Sequence, residues 1–208
     1  MRVGVFCFIS GIVIAVMVTG CASSIGTRQA YIDPEYADSA FGNYLVIGVA
    51  GSYNNRAYFE RSVVSSLRAH GASATAFYNI VRGNEPIDRD IVIQAVNENG
   101  FDAVLVTRVL GQQSQIDVEN RSPDAKASTI GGRPINFFRY DYEELNEPGE
   151  INLAMTVTLV TELFSASDEK MIATFETSNS NAQTINNLIE SSAASIADRL
   201  ARDKRIGR

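Results

Sequence analysis

Apolar and polar positions divide the chain into three stretches with different patterns. Residues 3–18 are almost entirely apolar, residues 22–43 are mostly small and polar without a sustained period, and residues 44–208 alternate between short apolar runs and amphipathic stretches. Such periodicity is the main sequence signal for secondary structure. The pattern therefore predicts a leader, a tether that is flexible over part of its length, and one folded domain over residues 44–208.

The first half of the domain has the pattern of alternating strands and helices. Continuous apolar runs rich in β-branched residues are typical of strands covered on both faces, while apolar residues three or four positions apart are typical of helices. Short connections between buried strands favour parallel pairing through right-handed crossovers. The predicted order is β-α-β-α-β, with strands at 44–49, 72–80 and 102–109 and helices at 55–70 and 88–100.

The second half of the domain predicts a long hairpin and a closing helix. Residues 151–164 alternate apolar and polar side chains at period two, and residues 170–177 return after a turn, which predicts an antiparallel hairpin with one wetter side. Residues 182–203 carry apolar side chains from Ile185 to Leu200 at helical spacing, which predicts an amphipathic helix packed on the core. The predicted fold class is α/β, with a mixed sheet and helices mainly on one face.

Composition and charge exclude several classes of function. The chain has 208 residues, of which 45% are apolar and 20% charged, as expected for a globular protein. Its net charge of −6 becomes −7 when Arg2 leaves with the leader, and a negative chain without a dense basic stripe is a poor candidate for binding nucleic acid. One His and two Cys exclude a disulfide framework and a Cys/His zinc site. No cofactor is predicted.

The leader ends in a pattern that resembles a bacterial lipobox. Arg2 precedes the apolar run of residues 3–18, which is shorter than the roughly 20 residues that a spanning helix needs. The run ends in VTGC at residues 18–21, an aliphatic residue and two small residues before a cysteine. The resemblance implies that Cys21 is linked to diacylglycerol, that residues 1–20 are removed, and that the new amine is acylated.

A lipid on Cys21 would attach the domain to a membrane. Two or three acyl chains on one residue anchor a protein essentially permanently, whereas one chain does so only marginally. Ala22 follows the cysteine and resembles the signal for sorting to the outer membrane, so we expect residues 21–43 to form a lipidated tether on its periplasmic face. The alternatives are an ordinary secretory signal with a chance cysteine, and an N-terminal membrane anchor. Cys7 leaves with the leader, so the mature chain would hold no free thiol.

Two positions in the first half of the domain have both a functional and a structural interpretation. His70 lies at a predicted helix end, where a histidine is usually solvated and favoured by the helix dipole, and no catalytic triad can be assembled around it by spacing. Residues 48–52 lie between a strand and a helix, where phosphate loops occur, but they match neither the Rossmann nor the P-loop pattern. The structural interpretation is favoured at both positions.

An acidic cluster provides the candidate cation site. Neighbouring carboxylates can bind Ca²⁺ or act as an acid–base pair. The spacing here matches no EF-hand loop, so a solvated acidic turn is the simpler interpretation. The cluster consists of Asp141, Glu143, Glu144 and Glu147.

An aromatic segment beside a long polar loop provides the candidate partner surface. Residues 119–135 are mostly polar with several Pro and Gly, and residues 136–142 alternate as a short edge strand does. Exposed aromatic side chains often anchor protein interfaces, and an edge strand can accept a strand from another protein. The alternative is that every second aromatic side chain packs into the core. The candidate contacts are Phe137, Phe138, Tyr140 and Tyr142.

The whole arrangement resembles a known group of secreted lipoproteins. Residues 44–51 (YLVIGVAG), 101–111 (FDAVLVTRVLG) and 151–177, followed by the closing helix, are similar to periplasmic lipoproteins whose domain resembles the amino-terminal domain of TolB, a group that includes CsgG. The resemblance implies envelope assembly, scaffolding or activation rather than catalysis. It transfers no functional residue to this chain.

These observations predict a lipid-anchored, non-enzymatic binding or scaffolding module of the bacterial cell envelope. We expect it to contact the membrane through acylated Cys21 and to bind a protein or peptidoglycan-machinery partner. One alternative is a lipoprotein that binds a small ligand or a cation, through the acidic cluster or the strand-to-helix loops. The other is a hydrolase that uses a pair of carboxylates.

Overall fold

A computed structural model describes residues 24–81, 87–113, 129–130, 133–134, 156–180 and 182–207. The strands are β1 (Ser24–Ile32), β2 (Asn43–Gly48), β3 (Ser73–Ala76), β4 (Ala103–Gln113), β5 (Thr129–Ile130), β6 (Arg133–Pro134), β7 (Thr156–Ser165) and β8 (Met171–Ser180). The helices are α1 (Tyr53–Ala69), α2 (Arg89–Asn99) and α3 (Ile185–Arg202), with 3-10 turns at Pro34–Tyr36 and Phe77–Asn79. The predicted α/β class and the order β-α-β-α-β, hairpin, helix are confirmed.

Six strands form one mixed sheet in the order β1-β8-β7-β4-β2-β3. Strand β2 lies parallel to β3 on one side and to β4 on the other, and the remaining neighbours are antiparallel. The connections that follow β2 therefore place the next two strands on opposite sides of it. In open α/β sheets this arrangement leaves a crevice at the carboxyl ends of the central strands. Strands β5 and β6 form a separate two-stranded ladder.

Strand β1 corrects the prediction of a tether. Ser24–Ile32 pairs antiparallel with β8, beginning with Ser24 opposite Ser180. The segment is polar because an edge strand buries few of its side chains, so it lacks the apolar run that identifies a central strand. The folded domain thus includes Ser24, which lies only three residues after Cys21.

Side chains of β1 also contact the closing helix. Thr27 Oγ1 lies 2.8 Å from Thr177 Oγ1 on β8 and 2.7 Å from Ser195 Oγ on α3. Thr27 is buried, and hydrogen bonds offset the desolvation of its hydroxyl. This edge of the sheet is therefore joined to a helix as well as to a strand.

The sheet carries an apolar layer on each face. Under α1 and α3 lie Tyr44 and Val46 of β2, together with the apolar face of α3 that ends at Leu200. Under α2 lie Leu45 and Ile47, the alternate residues of the same strand. Strand β2 is thus covered on both faces, as its continuous apolar run predicted. Two of the three described helices pack on one face, which agrees with the predicted layout.

Two local predictions differ from the structure. The strand predicted at 72–80 ends at Ala76, because the chain turns there into a short 3-10 segment with Phe77 fully buried. A buried aromatic residue in a tight turn extends the apolar run and cannot be distinguished from strand by periodicity. The predicted wetter side of the hairpin is wrong at Glu162, which is only 3% exposed.

The residues after α3 close the domain. The chain reverses at Lys204, which has a φ of 56°, and Ile206 then forms an isolated parallel bridge with Phe41. The buried guanidinium group of Arg205 is held by backbone carbonyl groups rather than by a carboxylate. It donates hydrogen bonds of 2.5, 2.8 and 3.0 Å to the carbonyl oxygens of Tyr36, Ala37 and Ser39.

Candidate functional site

An apolar cleft lies beyond the carboxyl end of β2, beside residues 107–109 in the middle of β4. The cavity within it is small, with a volume of about 40 Å³. The loop after β2 and the first turns of α1 form one wall, β4 and β7 form the floor, and the first two turns of α3 form the other wall. This is the crevice at which open α/β sheets commonly bind ligands. The apolar side chains that line it include Val49, Phe59, Val109, Leu159, Ile185 and Leu188.

Gly48 allows α1 to approach the end of β2 closely. A Cβ atom at this position would lie 3.0 Å from Cδ1 of Phe59 and 3.4 Å from Cγ of Glu60. The next residue, Val49, donates its N–H to the carbonyl oxygen of Thr107 at 2.8 Å, which fixes the loop against β4. The ring of Phe59 reaches the cleft because position 48 has no side chain.

A buried carboxyl group lies behind this loop. Glu60 is fully buried; its Oε1 accepts the N–H of Gly48 at 3.0 Å, and its Oε2 accepts the N–H of Tyr78 at 2.7 Å. Burial raises the pKa of Glu60 to about 7, although these N–H groups and Arg56, whose Nε lies 3.8 Å from Oε1, act in the opposite direction. Glu60 thus links α1 to the loop after β2 and to the turn after β3.

The chemistry of the cleft is that of apolar binding. Both oxygens of Glu60 are used by backbone N–H groups, so its carboxyl group supports the wall instead of facing a ligand. None of the described residues that line the cleft is Asp or Glu. The described part of the lining therefore does not supply the pair of carboxylates that the hydrolase alternative requires.

The wall formed by α3 follows from its sequence. Thr184 caps the helix by accepting the N–H of Asn187 at 3.1 Å through its hydroxyl oxygen. Leu188 and Ile189 are buried, and Ile185 in the first turn is half-buried. The apolar face predicted for this helix thus contributes its first two turns to the cleft.

His70 and the loop at 48–52 both have structural roles. His70 caps the carboxyl end of α1, and its Nε2 lies 2.9 Å from Oδ1 of Asp198 on α3. Ser52 caps the amino end of α1 by accepting the N–H of Asn55 at 3.2 Å. The same loop lines an apolar cleft, which does not match the chemistry of a phosphate site.

The residues predicted to carry lipidation, partner binding and cation binding lie outside the described residues. Their roles stay predictions. Within the described ranges, no three His, Cys, Asp or Glu side chains are grouped to hold a metal ion. No helix in that part of the chain has the length and apolar character needed to cross a membrane. The residues concerned are Cys21, Phe137, Phe138, Tyr140, Tyr142, Asp141, Glu143, Glu144 and Glu147.

The cleft is not predictable from the pattern of the sequence. Its lining residues come from separate elements, and each has the pattern of an ordinary core residue. The one available signal is the loop after β2, where Val49 and Ala50 are apolar although the chain is leaving the sheet. Loop residues of this kind at the end of a central parallel strand are a reason to expect an apolar site.

Comparisons with solved structures find distant similarities, whereas no protein-family model and no curated protein matches the sequence. The PelC dodecamer from Paraburkholderia phytofirmans has a TM-score of 0.46 at 10% identity, covering 89% of this chain and 100% of that chain. Lipoprotein GNA1162 from Neisseria meningitidis has a TM-score of 0.40 at 13% identity, covering 77% of this chain and 96% of that chain. Similarities of this degree assign neither a family nor a function. The resemblance to the TolB and CsgG group stays a prediction.

Proposed function

We propose that the protein is a lipid-anchored, non-enzymatic binding module of the bacterial cell envelope, attached through Cys21 to the periplasmic face of the outer membrane. The observation that carries this proposal is the position of β1 relative to the lipobox. Processing before Cys21 would leave β1 intact, since the strand begins at Ser24. Three residues span at most about 10 Å. A lipid on Cys21 would therefore hold the folded domain directly at the bilayer surface.

The same attachment gives the domain an orientation. Ser24 lies opposite Ser180, and the hydroxyl of Ser180 is 3.0 Å from that of Thr156, which lies opposite Gln113 at the carboxyl end of β4. Ser24 is thus at the end of the sheet where β4 ends, which is the end of the sheet beyond the carboxyl end of β2. We infer that the cleft end of the domain is the membrane-proximal end.

A second candidate function, a lipoprotein that binds a small ligand, is favoured by the cleft itself. Its apolar lining lies beyond the carboxyl end of a central parallel strand, where open α/β sheets commonly bind ligands. The cleft includes the loop between β2 and α1, and strand-to-helix loops are among the elements expected to bind a ligand in this alternative. The two functions are compatible, because an anchored module can also hold a ligand.

Anchoring is tested by exchanging the two cysteines separately. Cys21→Ala should abolish incorporation of a metabolic fatty-acid label and release the protein from washed membranes. Cys7→Ala is the matched control, since this residue lies in the leader and should leave labelling and membrane attachment unchanged. Label that persists in Cys21→Ala would contradict the proposal.

Partner binding is tested at the aromatic segment. A photo-crosslinking amino acid in place of Phe138 or Tyr140 should give the same crosslinked envelope protein in living cells. The control position is Glu98, an exposed residue on α2. Equal amounts of the same crosslinked protein with the photo-crosslinking amino acid at position 98 would contradict the proposed partner surface. The absence of a crosslinked protein from both aromatic positions would also contradict it.

A further inference from the structure

One buried carboxyl group holds two separate connections of the domain against α1. Glu60 accepts the N–H of Gly48 at the end of β2, at 3.0 Å, and the N–H of Tyr78 in the turn after β3, at 2.7 Å. We propose that ionisation of Glu60 releases these two connections, so that the cleft wall beside Gly48 opens as the pH rises. This change takes place within the folded domain and does not depend on the lipid anchor.

The surroundings of Glu60 favour its neutral form while the connections are closed. From α1, the guanidinium group of Arg56 approaches with its Nε 3.8 Å from Oε1 of Glu60, and it is the charged group of the described residues that acts on this carboxyl group. From β2 and from the turn after β3, the groups that act on it are the backbone N–H groups of Gly48, Phe77 and Tyr78. Full burial outweighs all of these groups and raises the pKa of Glu60 from 4.5 to about 7.

Proton binding is therefore linked to opening. In the open arrangement the carboxyl group of Glu60 reaches water and has its ordinary pKa, so it binds a proton less tightly than in the closed arrangement. Loss of the proton then favours the open arrangement. The equilibrium constant for opening should rise by up to tenfold per pH unit between pH 4.5 and 7, about 300-fold in total, and should stay constant at higher pH.

The cleft shares its wall with this carboxyl group. Gly48 and Phe59, the residue before Glu60 on α1, both line the cleft. A Cβ atom at position 48 would lie 3.0 Å from Cδ1 of Phe59 and 3.4 Å from Cγ of Glu60, so the loop and the helix are in close contact here. Separation of Gly48 from Glu60 therefore also separates Gly48 from Phe59 and widens a cavity of about 40 Å³.

The loop after β2 lies at a margin of the sheet and can open while the sheet stays folded. Gly48 forms the last residue pair of the ladder between β2 and β4, opposite Thr107. Gly51 and Ser52, which follow it, are exposed to solvent. Segments of this kind open at a lower free energy than the central strands of a domain.

Amide hydrogen exchange at several pH values tests the proposal. The full-length protein in detergent micelles is exchanged into deuterated buffer from pH 4.5 to 8, and single amides are located by mass spectrometry with electron-transfer fragmentation. Division of the intrinsic exchange rate by the measured rate gives a protection factor at each pH. The reporters are the amides of Gly48 and Tyr78, and the reference is Val106 in the centre of the sheet.

We expect the protection factors of Gly48 and Tyr78 to be lower than that of Val106 and to fall about 100-fold between pH 4.5 and 8. In Glu60→Gln they should not change with pH, because the amide cannot ionise, although it can accept only one of the two N–H groups. Glu98→Gln, at an exposed position on α2, should keep the pH dependence of the unsubstituted chain.

Three results would overturn the proposal. The first is equal protection of Gly48, Tyr78 and Val106 at every pH, which would show that these amides exchange only by global unfolding. The second is protection of Gly48 and Tyr78 that stays constant or increases with pH. The third is a pH dependence that persists in Glu60→Gln, which would assign it to another group. If Glu60→Gln does not fold, the profiles of the unsubstituted chain and of Glu98→Gln decide between the first two results and the expected one.

Discussion

The backbone N–H of Gly48 donates a hydrogen bond of 3.0 Å to Oε1 of Glu60 in the interior of the domain. The glycine ends β2 and opens the cleft, while the glutamate belongs to α1. A titratable group therefore holds one wall of the cleft in place. Both the stability of the domain and the shape of the cleft should depend on this pair.

The stability of the domain should fall as the pH rises through the range set by Glu60. Burial raises the pKa of this carboxyl group from 4.5 to about 7 in the folded protein. Between these values the folded protein retains a proton that the unfolded chain has released, so a rise in pH favours unfolding. The protonated carboxyl group contributes about 3 kcal/mol to the free energy of unfolding. This contribution is fully present below the unfolded-state pKa of 4.5 and is lost by about pH 7.

Urea unfolding across this pH range measures the effect. Glu60→Gln should remove most of the pH dependence between about 4.5 and 7. Glu98→Gln, at an exposed position on α2, should retain it. If the unfolding free energy of Glu60→Gln changed with pH as steeply as that of the unsubstituted chain, another titrating group would be responsible for the pH dependence.

Replacement of Gly48 should destabilise the domain and change the cleft. In Gly48→Ala the new methyl group would lie 3.0 Å from the ring of Phe59, which must move, at a cost of about 1–3 kcal/mol. Gly26→Ala on β1 is the control, because a Cβ there meets no atom within 4 Å. Equal unfolding midpoints for the two variants would contradict this packing.

Arg205 should contribute strongly to stability although it lies near the end of the chain. Arg205→Met leaves the carbonyl oxygens of Tyr36, Ala37 and Ser39 without their donor, and we expect a loss of about 3 kcal/mol. Arg202→Met, at an exposed position at the end of α3, should change the unfolding free energy little. The comparison is made by urea unfolding, and equal stabilities would show that the C-terminal contacts are not formed.

Strand β1 should be protected from hydrogen exchange. The amides of Ser24–Ile32 that face β8 should exchange at rates similar to those of β8 itself, because the two strands form one ladder. Mass spectrometry of deuterated fragments measures these rates. Fast exchange throughout the segment would restore the prediction of a tether.

Patterns that depend on burial predicted the fold well. Strand β2 is covered on both faces and is apolar at residues 44–47, and α3 shows one continuous apolar face. In both elements the buried positions are occupied by apolar residues, so the spacing of apolar residues was sufficient to predict the element. Ser52 and Thr184 also cap helices where polar residues precede helical periods.

Features that depend on distant contacts were not predictable. Strand β1 derives its stability from pairing with β8, which follows about 150 positions later, and its polar sequence carries no local sign of this. The burial of Glu60 and Arg205 likewise depends on backbone groups brought together by the fold. The cleft joins Gly48, β4 and α3, so its existence follows from topology rather than from any motif.

Mass spectrometry of the N-terminal peptide of the native protein tests the membrane anchor most directly. We predict that the mature chain begins at Cys21 and that this residue carries the mass of diacylglycerol together with an amide-linked acyl group. An unmodified Cys21, or a chain that still carries residues 1–20, would contradict the lipid anchor and the orientation derived from it.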